Sequence, residues 1–284
     1  MECKPEYIAS VGMEIDIARY TCRRAKQPIQ IDGNLEKPAW KNADWSPRFV
    51  DIVTGKPGFY DTRAAALWDD EAFYVAFRAD TPFVEAALTE RDSIVWNEND
   101  LEVFIDGGDC YYEFEINALG TLYEIFFIWQ DAYQRGGRFD TPEFDLLGRK
   151  VLTYGGDYDR VPATFWNGTH PRGNRWAFLD WDFPGLRSAV RIDGKINDES
   201  VIDKGWTVEA AFPWAGMKAL ANGRSLPPDT GDTWRMFFGR YEKLNSCGVE
   251  VQPHPAWCWN RHGINDSHFP ECWTYVDFST ETAP

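Results

Sequence analysis

Basic residues are outnumbered in this sequence. Lys and Arg number 29 against 45 Asp and Glu, a formal charge of −16. Nucleic acid and anionic membrane surfaces need a positive partner, so neither is expected to bind. The balance is compatible with neutral sugars and with bound cations. No stretch approaches the roughly 18 apolar residues of a transmembrane helix. The opening MECKPEYIASVGMEIDIARYTCRR has no apolar h-region, so no signal peptide is visible, and a chain beginning natively here is expected in the cytoplasm. Six Cys permit disulfides by their even number, but no short-range framework fixes a pairing. Long helical periodicities are few, and there is no internal repeat. Gly136-Gly137 and Gly155-Gly156 lack the strand-then-helix setting of a phosphate loop.

Aromatic residues are abundant: 14 Trp, 12 Tyr and 19 Phe in 284 residues. Hydrophobic residues make up 44%, enough for a globular core and too many for a disordered chain. A core can absorb many of the indoles. A sugar site can use others, because the ring packs on the apolar C–H face of a pyranose while its N–H bonds a hydroxyl.

Short alternating runs predict strands near 28–32, 63–68, 72–79, 100–106, 111–117, 121–128, 187–192, 206–213, 234–242 and 274–278. Short helices are predicted at 36–40 and near 214–221. The spacing predicts an all-β fold, an antiparallel β-sandwich of jelly-roll type, forming a single domain over 1–284. Residues 129–185 break the pattern with Gly, Asp and aromatics and read as a long loop insertion, since they lack a periodic core of their own.

The segment DLEVFIDGGDCYYEFEIN, residues 100–117, predicts a hairpin turning at Gly107–Cys110. A symmetric turn pairs Asp106 with Tyr111, Phe104 with Glu113, Glu102 with Glu115 and Asp100 with Asn117. Leu101, Val103, Ile105, Tyr112, Phe114 and Ile116 then face the core. Two glutamates directly opposite repel, so an Arg, a metal ion, solvent or a hydroxyl-rich ligand should compensate. The commonplace alternative is a solvated polar face. The preceding RDSIVWNEN places Trp96 beside this acidic strip, which favours a sugar site.

Five fragments in order, from about 28 to 278, resemble family 9 carbohydrate-binding modules. IQIDGNLEKPAW is similar to the family's I-D-G and A-W opening. LWDDEAFYVAFRAD resembles its W-D-D hairpin, and WNENDLEVFIDGG with YYEFEINALGT its central strands. GWTVEAAFPW resembles a late strand, and HFPECWTYVDF the closure. The resemblance implies a β-sandwich that grips mono-, oligo- or polysaccharide between two Trp rings without cleaving it. Trp96 looks like one platform, Asp100 and Glu102 like acceptors, with Glu115 opposite. Asn117 matches an Asn of the second central strand. The second platform is implied in the loop before the closing strand, at Trp257 or Trp259, with His268 nearest the ligand. Cys272-Trp273 departs from the family's usual Phe-Gly, and the 129–185 segment is longer than a compact module carries.

Other readings stay open. Glu102 and Glu115 would suit a catalytic pair in a sugar-active, glycoside hydrolase-like enzyme, at the ~5 Å of a retaining geometry, and residues of the 129–185 insertion are the other candidates for that role. Cys258-x3-His262 with His268-x3-Cys272 has a loosely zinc-like spacing without a C-x2-C element, and shaping a loop is the plainer role. Calcium is a further reading, with Asp92, Asp106, Asp109 and Asp157 to Asp159 as oxygen donors, though no EF-hand pattern is present. Asp69-Asp70 more simply caps a hairpin turn. Related sandwiches also hold haem, which would need an axial His or Met. Asn167-Gly168-Thr169 is a glycosylation sequon, meaningful only in a secreted eukaryotic chain.

Overall fold

The computed structural model describes residues 16–155 and 170–283. Gly156, Asp157 to Asp159 and the sequon at Asn167 lie outside them. In chain order the strands are β1 (Arg19–Arg24), β2 (Val50–Asp51), β3 (Thr62–Trp68), β4 (Ala72–Asp80), β5 (Asp100–Asp106), β6 (Cys110–Asn117) and β7 (Leu122–Trp129). They continue with β8 (Val151–Tyr154), β9 (Arg175–Phe178), β10 (Arg187–Asp193), β11 (Gly205–Pro213), β12 (Thr233–Tyr241), β13 (Asn245–Ser246), β14 (Val249–Glu250), β15 (Ala256–Cys258) and β16 (Thr274–Thr282). Two four-residue helices, α1 (Pro38–Lys41) and α2 (Lys218–Ala221), interrupt them.

One hydrogen-bonded path runs β10-β11-β4-β3-β1-β16-β12-β5-β6-β7-β9-β8. It folds over so that its halves face each other as a β-sandwich. Phe77 of β4 packs on Phe238 of β12 at 6.4 Å between ring centroids, and Phe212 of β11 on Phe114 of β6 at 5.4 Å. Alternation sends Leu101, Val103, Ile105, Tyr112, Phe114 and Ile116 into this interior, as the sequence pattern predicts. Neighbouring strands are antiparallel with one exception. β1 lies parallel to both β16 and β3, so the sheet is mixed.

Three expectations change. No strand forms over 28–32. There the Asp32-Gly33 turn instead aims two backbone N–H groups at the buried carboxylate of Glu209, at 2.9 and 2.6 Å. Gly33 has φ +75°, and a Cβ there would meet the Val190 backbone at 2.9 Å. Lys37 and the Trp40 indole complete the same acceptor at 2.6 and 2.5 Å, so the I-D-G and A-W signature is a device for satisfying Glu209. Second, β1 has no counterpart among the predicted strands. Third, the 129–185 segment is more than a loop. It supplies β8 and β9 to the sheet edge, and Phe139, Phe144, Phe178, Trp181 and Phe183 join the main core.

Candidate binding cleft

The outer face of β5, β6 and β7 forms the floor of a cleft of about 440 Å³. The hairpin register places its residues: Asp100 lies opposite Asn117, Glu102 opposite Glu115, Phe104 opposite Glu113 and Asp106 opposite Tyr111. Glu102, Glu113 and Glu115 line the cleft with Tyr123 and Phe127 of β7 and Tyr154 of β8. Trp96, in a short 3-10 turn at Val95–Asn97, and His254 and His268, from the loops flanking β15, complete it.

Trp96 is half-buried, and its indole N–H donates to the Tyr123 hydroxyl. The turn that carries it is tied down from below. Glu98 accepts the backbone N–H groups of Ala87 and Leu88 at 2.9 and 3.0 Å, and the Asn117 amide donates to Glu98 and to the Leu88 carbonyl. Asn117 also accepts the N–H groups of Leu119 and Thr121.

The floor is acidic and buried. Asp100, Glu102, Glu113 and Glu115 are all buried, and carboxylate oxygens of Asp100, Glu102 and Glu115 lie within 4.8 Å of one another. Burial, then the charges of Glu113, Glu102 and Asp100, push the Glu115 carboxyl well above the usual range. Asp100 also accepts the Tyr241 N–H at 3.1 Å.

His268 sits in an aromatic cage, 4.7 Å from the Tyr154 ring, 5.1 Å from Phe104 and 5.3 Å from Phe127. Its Nδ1 is 3.1 Å from the Tyr111 hydroxyl and its Nε2 3.7 Å from Glu113. Arg175, fully buried on β9, donates to the Tyr111 hydroxyl and to the His268 carbonyl, and its guanidinium stacks on Trp129 and Tyr154. Sequence reasoning missed Arg175. The one available signal was a lone Arg in an aromatic run, RWAF.

The fold matches known structures. A family 9 carbohydrate-binding module from Caldicellulosiruptor kristjanssonii, in complex with cellotriose, aligns over 93% of this chain and 95% of its own, at TM-score 0.50 and 12% identity. A protein from Bacteroides uniformis described as carbohydrate-binding aligns over 93% of this chain and all of its own, at TM-score 0.53 and 15% identity. No family model and no curated protein matches the sequence. The chain has the family 9 fold.

Within that fold the sequence-derived site residues separate. Trp96, Glu102, Glu115 and His268 come together in the cleft. Asn117 does not line it, and its side chain is spent on the turn and loop beneath Trp96. Asp100 is fully buried behind the lining. Trp257 and Trp259 are corrections. The segment expected to be a loop is strand β15, paired with β12 through Arg240↔Trp257 and Gly239↔Cys258. Alternation then turns both indoles into the main core, where Trp259 packs on Tyr20 at 4.9 Å and Trp257 on Tyr60 at 6.1 Å. They leave Ala256 and Cys258 on the cleft side of the sheet.

The remaining candidates have ordinary partners. Cys258 donates to the Asn260 carbonyl, His262 meets the Asp266 carbonyl, and His268 meets Tyr111, and among the described residues no cluster of three His, Cys, Asp or Glu donors includes Cys258, His262, His268 or Cys272. Asp69 caps Glu71 and Ala72 and accepts the Tyr74 hydroxyl. Among the described residues, no cluster of three His, Cys, Asp or Glu donors includes Asp92, Asp106 or Asp109.

Proposed function

We propose that the protein binds a saccharide in this cleft. The observation that carries the reading is Trp96, half-buried and braced by Tyr123, beside a floor of buried carboxylates. Such a ring packs on a pyranose face, and carboxylates and imidazoles hold its hydroxyls. Trp96 is the platform in this reading. Tyr123 and Tyr154 take the role first given to Trp257 and Trp259. Glu102, Glu113 and His268 meet the hydroxyls. The shared fold with a module seen with cellotriose supports a neutral glycan over a charged one, as does the net charge of −16. Calorimetric titration against mono- and oligosaccharides tests the proposal. Saturable binding lost in Trp96→Ala supports it, and silence across a broad glycan panel overturns it.

Hydrolysis is a second reading, favoured by the direct opposition of Glu102 and Glu115 and by the raised Glu115 carboxyl, which suits a general acid. Its test is turnover of aryl glycosides, abolished in the double variant Glu102→Gln, Glu115→Gln.

A further inference from the structure

We propose that Asp100, Glu102 and Glu115 hold a divalent cation of the calcium class at the floor of the cleft. This goes beyond the saccharide reading and stands or falls without a sugar present. Three observations carry it.

The first is spacing. Oxygens of the three carboxylates lie within 4.8 Å of one another. Oxygens at opposite poles of a calcium ion are about 5 Å apart, given bonds of 2.3–2.6 Å, so one ion can reach all three. A purely oxygen donor set of this charge selects a hard cation, and excludes the softer metals that prefer sulfur or imidazole.

The second is an orphaned acceptor. Glu115 is 1% exposed, lines the cleft, and its Oε2 has no hydrogen-bond partner. A buried carboxylate oxygen left unsatisfied costs free energy, and a cation at the cleft floor would remove that cost.

The third is room. In β12 the residue opposite Glu102 is Gly239. A Cβ there would strike the Phe237 ring at 2.3 Å and approach Glu102 Oε2 at 3.4 Å. Any side chain at 239 would press on Phe237 and on this carboxylate, and glycine leaves both in place.

Open coordination positions on such an ion would face the cleft, where water or a sugar hydroxyl can fill them. The test uses the full chain after treatment with chelator and exchange into chelator-free buffer. Calcium chloride is titrated calorimetrically, and terbium chloride is followed by luminescence on excitation of the aromatic side chains. One site per chain is expected, saturating below about 10 mM calcium, with calcium displacing terbium. Glu115→Gln is expected to weaken calcium at least tenfold, and Glu36→Gln, at an exposed residue, to leave it unchanged. If Glu115→Gln fails to fold by circular dichroism, Glu102→Gln takes its place. Absence of calcium heat and of a displaceable terbium signal would overturn the site. So would calcium binding undiminished in both variants. Saccharide titrations run with and without chelator separate the two readings, because calcium binding without sugar binding refutes only the sugar proposal.

Discussion

Glu115 lies directly across the β5–β6 ladder from Glu102, and both carboxylates are buried. Like charges in that position destabilise a sheet by up to about 1 kcal/mol, and here Asp100 and Glu113 add to the crowding. Replacing Glu115 by Gln keeps the shape and removes one charge. In chelator, at a pH high enough to ionise the raised Glu115 carboxyl, Glu115→Gln should therefore be more stable than the parent by about 0.5–1 kcal/mol in urea denaturation. Saturating calcium should reverse that order, because only the parent gains a bound ion.

The tryptophans divide into two kinds, and mutation should separate them. Trp259→Ala empties a core position between Tyr20, Phe49 and Phe238 and is expected to cost about 3–5 kcal/mol in equilibrium unfolding. Trp96→Ala removes a half-buried ring and should change the melting temperature little. Its effect is expected in binding, a loss of tenfold or more, or about 1.4 kcal/mol.

Much of this was legible in the sequence. The period-two pattern over 100–117 fixed the hairpin, its register and the facing glutamates, because one buried face leaves no freedom to slip. The cleft beside Trp96 followed from adjacency in the chain. The second aromatic wall was not legible. Trp257 and Trp259 sit among prolines, histidines and glycines that read as loop, and only the long-range pairing of β15 with β12 turns them inward. Tyr123 and Tyr154 reach the cleft through the strand order β6-β7-β9-β8, which local pattern does not encode. Arg175 was invisible for the same reason.

The Glu209 network makes a sharper stability prediction. This fully buried carboxylate gathers two backbone N–H groups, the Lys37 ammonium and the Trp40 indole. Glu209→Ala strands all of them and should cost about 3–5 kcal/mol, read from the urea midpoint. Saccharide affinity measured well below the new melting temperature should be unaffected, since the network lies on other strands than the cleft.

Acid should act through His262. Burial holds its imidazole down to about 4, against an ordinary value of 6.5. A depressed histidine means that the unfolded chain binds the proton more readily than the folded one. Its contribution is present above pH 6.5 and is lost as pH falls toward 4, up to about 3 kcal/mol. His262→Phe should flatten the dependence of stability on pH across that window, and the parent curve should be the steeper of the two.

Whether the Trp96 cleft holds a saccharide is decided by titrating a panel of neutral mono- and oligosaccharides into the parent protein, Trp96→Ala and Trp257→Phe. Saturable binding by the parent, its loss in Trp96→Ala, and parent-like affinity in a folded Trp257→Phe are expected. Binding that survives Trp96→Ala but fails in Trp257→Phe would contradict a saccharide site at Trp96.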